Sequence, residues 1–303
     1  MSSGETELVR YFAAKGKLNA VRFPIGIGDD MAQIKLPKGN SVLITTDMLL
    51  DGVHFDTRKA TLEQIGYKSM AASLSDCAAM ATIPLAAVVS VALPRQPRGL
   101  KPTLLKLHRG ILAAAKKYNC PLIGGDMTSW NKPLAVSVAM LSTVGKTKPV
   151  KRSTAKTGDV ICVTGTLGGS LAGKHLSFEP RIKEALAIAE AGVNSMMDIS
   201  DGLSTDLNHI CRLSKKGAIV EADKIPVSRN AGNLNNALND GEDFELLFTM
   251  PQKKFERLKK HWRFKVKLTA IGKIIGGHSV KIEMADGKVF DLLPKGYDHL
   301  RSS

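Results

Sequence analysis

The sequence predicts an α/β fold of α+β character, divided into two units, 1–148 and 149–303. Three observations predict it. Short apolar runs rich in β-branched residues, such as Val42-Leu43-Ile44, alternate with longer helical stretches such as 61–81 and 103–118. A polar, basic stretch containing a proline, KTKPVKRSTAKT over 146–157, interrupts that alternation. Both halves share a loose succession of strand, acidic loop and helix, without a repeat of fixed short period.

In chain order, 5–15 reads as a short amphipathic helix with Leu8, Tyr11 and Phe12 on one face. The loop GIGDD leads to a strand over 31–37 and a turn at Lys38-Gly39-Asn40. A buried strand begins at Val42 and is expected to stop at Thr45-Thr46-Asp47, where oxygen-bearing side chains replace apolar ones. After the turn Asp51-Gly52 comes His54. The helix over 61–81 is rich in Ala, Ser and Met, so it packs closely and is buried, and Asp76 within it is an odd place for an unpaired charge. A strand over 85–93, the loop PRQPRG and a helix over 103–118 follow. Residues 121–123 then run into Gly124-Gly125-Asp126, and 134–144 form another strand. The second unit opens with a strand over 159–164 and the glycine-rich GTLGGSLAG. Helices over 181–191 and 203–214 flank MMDISDG. A strand over 218–222 precedes a polar, Asn-rich segment at 228–240. Last come a strand over 244–250, a helix over 252–261 and strands near 268–275, 280–284 and 288–291.

A chain of 303 residues with 44% apolar and 23% charged residues builds a sizeable globular core. The net charge of +15 favours anionic partners such as nucleotides, phosphorylated substrates or nucleic acid, although lysine-rich solvated surface accounts for it equally. With aromatics at 5%, and no aromatic interleaved with the Lys-Lys pairs, nucleic-acid binding has little support. Four dispersed cysteines without a C-x-x-C suit a reducing cytoplasm and offer no zinc or redox motif. The first residues lack an apolar signal core. The longest apolar run, near 83–93, is too short and too interrupted to span a membrane.

The chemistry-bearing signal is acidic. Asp29 and Asp30 follow two glycines, Asp47 ends an apolar run, and Asp126 follows Gly124-Gly125. Asp198 and Asp201 lie in MMDISDG, and Glu242 and Asp243 precede FELLF. Singly, each reads first as a turn or cap residue. As a set in a chain with surplus positive charge, they suit carboxylates gathered around divalent cations, with phosphate oxygens completing the shell. Gly124-Gly125 would let backbone N–H groups approach phosphate. GTLGGSLAG carries neither a P-loop nor a dinucleotide fingerprint, so a tight packing turn serves as well. His54 is open between a core histidine and a substrate ligand. Neither G-x-S-x-G nor H-E-x-x-H occurs, which leaves hydrolase readings unsupported.

Taken in order, GIGDD, TTDMLLDGVHF, SLSDCAAM, IGGD, DISDGLSTDL, GEDFELLFT and KGYDHL resemble the thiamine-monophosphate kinase family, within the aminoimidazole ribonucleotide synthetase superfamily. The likeness runs from about Gly26 to Leu300. It implies a two-domain aminoimidazole ribonucleotide synthetase-like fold. The N-terminal domains of two subunits would pair into a dimeric barrel-like sheet, with ATP in a cleft near that interface. It implies transfer of the ATP γ-phosphoryl group to thiamine monophosphate, with Mg²⁺ as cofactor and a homodimeric, cytoplasmic enzyme. The first unit would bind ATP and Mg²⁺ and dimerise. Carried over by position, Asp30, Thr45, Thr46, Asp47, Asp76, Asp126, Asp198 and Asp201 would bind Mg²⁺. Tyr118, Gly125, Asp126, Arg152 and Ser200 would contact ATP, and His54, Glu242 and Tyr297 would face thiamine monophosphate. Asp29 and Asp206 would support them.

The residue inventory agrees with that chemistry. A phosphate-monoester acceptor has a second pKa of about 6, so near neutrality its oxygen is already anionic and needs no general base. The barrier is repulsion between two polyanions, which cations and a basic residue such as Arg152 offset. Against the family pattern, GGDMTSW stands where GGDTTRG is common, DGED replaces GGED, Lys174 replaces a frequent arginine, and the stretch after GTLGG is short, while Arg181 is kept. The alternatives are another ATP-using enzyme of the superfamily, or an inactive basic relative that binds nucleic acid.

Overall fold

Two open β-sheets, one from each half of the chain, hold a buried helix between them in a computed structural model that describes residues 10–11, 13–14, 19–37, 40–95 and 100–297. The first sheet contains β1 (Ala32–Lys35), β2 (Ser41–Leu50), β3 (Thr82–Pro94), β4 (Leu122–Trp130) and β5 (Ala135–Val144), in the order β1-β2-β5-β3-β4. Only the β3–β4 pair is parallel. With β1 and β4 as edges, the sheet does not close into a barrel within one chain.

Helices α1 (Leu62–Ala79) and α2 (Leu100–Lys117) pack on each other beside this sheet. A capping box starts α1: Thr61 Oγ1 accepts from the Gln64 N–H at 3.2 Å, and Gln64 Oε1 accepts from the Thr61 N–H at 2.9 Å. Most of α1 is buried, including Gly66, Ser69, Ala71, Ala72, Ser73 and Ser75, because small side chains let neighbours approach on every side.

The second sheet contains β6 (Asp159–Thr164), β7 (Ser195–Asp198), β8 (Gly217–Glu221), β9 (Leu246–Pro251), β10 (Leu268–Ile275), β11 (Val280–Glu283) and β12 (Val289–Asp291). Its order is β12-β11-β8-β10-β6-β9-β7, antiparallel except for β11–β8. Helices α3 (Ile182–Glu190), α4 (Leu203–Ser214), α5 (Leu234–Asn239) and α6 (Gln252–Lys260) complete it. Strand β6 shows how the core is divided. Val160 and Cys162 join a cluster that also takes in α1, α3 and the first sheet, whereas Ile161 and Val163 face a separate cluster with Leu203, Leu207 and Ile210 of α4. The apolar core therefore runs without a break across the 148/149 boundary. Helix α6 buries Phe255 and Leu258 and leaves Lys253, Lys254, Arg257, Lys259 and Lys260 exposed.

Several local expectations need correction. Strand β2 continues to Leu50, paired through to Ala135, so Thr45, Thr46 and Asp47 lie in mid-strand. Gly124-Gly125-Asp126 lies inside β4, since the parallel pairing to β3 takes up these residues. The Asn-rich segment contains α5, capped by the Asn233 side chain on the Asn236 N–H. MMD is a strand, β7, and the stretch after GTLGG makes two short 3₁₀ turns, Ser170–Ala172 and Lys174–Leu176. The helix expected over 5–15 falls largely outside the described residues, as do Asp298, His299 and Leu300 of the last motif.

Candidate active site

The alternation of β2 sorts its polar residues. Leu43 and Leu49 are buried, so Thr45 and Asp47, at even spacing from them, face α1, while Ile44, Thr46 and Met48 face the other way and are exposed. On α1 the hydroxyls and carboxylate reach back. Thr45 Oγ1 donates to Asp76 Oδ2 at 2.5 Å, and the Ser73 hydroxyl donates to Asp47. Ser75 Oγ donates to Asp198 Oδ2 at 2.6 Å, which ties the end of β7 to the same helix. Asp30, from the loop before β1, completes the group: carboxylate oxygens of Asp30, Asp76 and Asp198 lie within 4.8 Å of one another.

This clustering is electrostatically unfavourable without a compensating cation. Burial pushes Asp76 well above the ordinary carboxylate range, with Asp47, Asp198 and Asp30 adding to it. Burial and then Asp30 push Asp198 up to about 7. Burial raises Asp47, against the hydrogen bond from Ser73. Arg152 neutralises one member: its Nε and Nη2 donate to Asp30 at 2.8 and 2.6 Å, a bidentate pair. The basic segment at the unit boundary thus turns Arg152 inward, and the Arg152 N–H donates to Asp29 at 2.8 Å. An oxygen-only donor set with excess negative charge fits a hard divalent cation such as Mg²⁺.

A second group lies at the start of α4. Ligand atoms of Asp201, Asp206 and His209 lie within 4.8 Å of one another. Asp206 accepts from the N–H groups of Asp201 (3.2 Å) and Gly202 (3.1 Å), and its other oxygen is buried with no partner. Burial, then Asp201 and Asp198, raise it. His209 is lowered to about 3 by burial and by Arg152 and Arg212, and its Nδ1 lies 2.9 Å from Arg212 Nη2.

The remaining expected residues divide in two. Ser200, Asp201, Glu242 and Tyr297 converge, because three distant loops bond to each other. The Glu242 N–H donates to Ser200 O at 2.7 Å, and the Tyr297 N–H donates to Asp201 O at 3.0 Å. A Cβ on Gly296 would lie 1.9 Å from Asp201 O, so only glycine admits that approach. Glu242 pairs with Lys68 of α1. His54 lies in the turn after β2, and its Nδ1 accepts from the Leu50 N–H at 3.0 Å, which leaves the neutral ring's proton on Nε2.

Within one chain, Thr46 and Asp126 are not brought to the carboxylate cluster. Asp126 pairs in register with Ser90, Ser90 with Ser137, and Ser137 with Met48, a row on the exposed face. Gly125 pairs with Val89, and a Cβ there would lie 2.0 Å from Val89 O, so the glycine serves close pairing of β3 and β4. Tyr118 ends α2 beside Tyr67, which helps burial raise its hydroxyl, and Tyr67 donates to Phe178 O at 3.1 Å.

The GTLGG amides are occupied by the protein. Asp243 accepts the Gly168 N–H (3.0 and 2.8 Å to its two oxygens), and Asp240 accepts that of Gly169 (2.8 Å), which supports the packing turn. Nearby, Glu245 is buried and takes Arg181 at 2.7 and 2.8 Å, Lys174 at 2.9 Å and Thr164 Oγ1 at 2.7 Å. Sequence reasoning passed over Lys68, Ser73, Ser75 and Glu245. The available signal was a lysine and several hydroxyls inside a helix of small residues that also carries Asp76.

Comparison with known proteins bears on the family and the fold. The AIR synthase related protein N-terminal and C-terminal domain families match residues 28–144 and 156–285. The chain is 36% identical to a thiamine-monophosphate kinase of Rhodopirellula baltica, over 91% of each chain. It is 32% identical to that of Haemophilus influenzae over the whole of both. A solved structure of AaThiL complexed with AMPPCP and TMP superposes with a TM-score of 0.83 at 29% identity, covering 98% of this chain and 97% of that one.

Proposed function

We infer that this chain, which belongs to the thiamine-monophosphate kinase family, transfers the γ-phosphoryl group of ATP to thiamine monophosphate, giving thiamine diphosphate and ADP. The observation that carries the reading is the gathering of Asp30, Asp47, Asp76 and Asp198 around α1, with Arg152 on one flank. We assign cation binding to these four carboxylates and Thr45, with Asp201, Thr46 and Asp126 as further donors. Bound Mg²⁺ would offset the phosphate charge and hold the phosphate oxygens in place. Arg152, with Ser200, Gly125 and Tyr118, would contact ATP. His54, Glu242 and Tyr297 would orient the acceptor.

The step is direct and in line. An acceptor phosphate oxygen, already anionic near neutral pH, forms a bond to the γ-phosphorus as the bond to the bridging oxygen breaks and ADP leaves. No side chain needs to remove a proton, so the carboxylates are left to hold cations. The chain's own part is to align the two phosphates and exclude alternatives to the attacking oxygen.

We extend the proposal to a cytoplasmic homodimer whose first unit, 1–148, carries the ATP face and the contact between subunits. The support is the exposed face of the first sheet, where Ile44, Met48 and Val88 stand beside Thr46 and Asp126. Pairing there would bring residues that one chain leaves outside the cluster to the partner's site. Buried free cysteines, and the lack among described residues of any helix long and apolar enough to cross a membrane, accord with this.

The test is purified protein with Mg-ATP and thiamine monophosphate, assayed for thiamine diphosphate, with an aminoimidazole precursor and RNA as controls. Turnover of thiamine monophosphate alone supports the reading. Turnover of the aminoimidazole precursor, or RNA binding with no ATP turnover, replaces it. Inversion at a chiral γ-phosphate supports direct transfer, and net retention excludes it. Light scattering reports the dimer.

A further inference from the structure

We propose that Lys68 is a positioning residue that locks His54 and Glu242 into one acceptor-binding pair; this rests on the assignment of those two residues to the acceptor. Lys68 lies in the middle of α1 with its side chain 1% exposed, whereas that of Glu242 is 19% exposed. An ammonium has three N–H donors. Here they meet three acceptors: the Glu242 carboxylate oxygens at 2.7 and 2.8 Å, and the backbone carbonyl of His54. The cation therefore sits behind the carboxylate, and the partly exposed side belongs to Glu242 and His54.

Of the two partners, Glu242 is the one that needs support from outside its own segment. Glu242 has φ of +53°, in the left-handed region, which is strained for a non-glycine residue and persists only when surroundings enforce it. Its backbone is pinned by Ser200, and its carboxylate takes two hydrogen bonds from Lys68. His54 sits in a short turn closed by the Gly52 N–H on Phe55 O at 2.8 Å, and its ring is set by the Leu50 N–H. Lys68 joins the turn to the Glu242 loop through a rigid helix.

A packing role alone would be served as well by an apolar side chain, because a buried ion pair gains little over one in stability. Burial also works against this lysine's charge, lowering its pKa against the pull of Glu242. An expensive cation with all donors committed, two of them to one proposed acceptor residue and the third to the other, is the mark of positioning.

The test compares wild type with Lys68→Met, Lys68→Arg, Glu242→Gln and the Lys68→Met/Glu242→Gln double variant. It measures kcat, KM for each substrate, and Tm. Lys68→Met is expected to raise KM for thiamine monophosphate roughly tenfold while KM for ATP stays within about twofold. Lys68→Arg should recover part of the loss. The Lys68→Met effect should shrink in the Glu242→Gln background, since coupled residues are not additive. An unchanged acceptor KM in Lys68→Met, with Glu242→Gln impaired, overturns the role of Lys68 alone. An unchanged acceptor KM in Glu242→Gln overturns the acceptor assignment and this inference with it. Equal rises in both KM values together with a fall in Tm also overturn it, as a purely structural effect. Should Lys68→Met not fold, Lys68→Gln decides: a raised acceptor KM at near wild-type Tm supports the role, and an unchanged one overturns it.

Discussion

Replacing Asp198 by asparagine is expected to stabilise the cation-free protein and to abolish phosphoryl transfer. Asp198 is buried at the end of β7, and burial followed by Asp30 pushes it from 3.8 to about 7. At 1.36 kcal/mol per tenfold change, that rise corresponds to about 4 kcal/mol. Between pH 3.8 and 7 the folded chain keeps a proton that the unfolded chain has released. Stability therefore falls as pH rises through that interval, with the full cost above about 7 and almost none below about 4. Asparagine keeps the shape and an oxygen for the Ser75 hydroxyl, but carries no charge. Halving the figure for relaxation and water entry leaves about 2 kcal/mol, or about 3 °C in Tm for a chain of this size. Calorimetry in chelator should show Asp198→Asn melting above wild type at pH 8, with the gap closing near pH 4.5. Saturating Mg²⁺ should stabilise wild type and not the variant. A variant less stable than wild type at pH 8, or a gain of equal size at both pH values, would refute the reasoning.

The other expectations concern separate parts of the site. Asp76→Asn removes charge from the same cluster and should lower kcat by about 10²-fold or more with the fold intact by circular dichroism; near wild-type turnover would take Asp76 out of the cation site. Glu245→Gln leaves Arg181 and Lys174 facing a neutral group, and chemical denaturation should report a loss of about 3 kcal/mol or more, with unchanged stability counting against a structural role for the network. Gly296→Ala forces a Cβ toward Asp201 O, so Tyr297 must shift; KM for thiamine monophosphate should rise with little change in Tm, and an unaltered KM would detach this segment from the acceptor.

What could be read in the residues was chemistry and order; what could not was distance. Most strands and helices are visible because apolar period and turn residues mark them. Strand β2 disguises its own length. Thr45 and Asp47 occupy inward positions that a strand normally fills with apolar residues, so the polar run looks like an end, although pairing with β5 carries the strand to Leu50. Helix α5 was hidden by asparagines, which favour turns as readily as caps. Asp30 and Asp76 drew attention through their settings. Their meeting with Asp198 depends on a second sheet stacking against α1, which no local pattern encodes. Ser73 and Ser75 looked like small packing residues, and only their neighbours reveal that their hydroxyls hold Asp47 and Asp198. Thr46 and Asp126 stood out as oxygen donors beside apolar runs, and in a single chain they lie on the far face of the sheet.

Helix α1 carries Lys68, Ser73, Ser75 and Asp76 within the continuous core that joins both sheets. At 1.5 Å per residue, its interior sets about 12 Å between the lysine at the acceptor end and the aspartate at the cation end. Hydrogen exchange makes the consequence measurable. Loops near a site commonly open by local fluctuation, but the amides of a helix packed on all sides are released only when the whole structure opens. The ruler between the two halves of the site should therefore rank among the slowest-exchanging segments. Its protection should follow global stability, so the spacing of the reacting groups would last as long as the fold does.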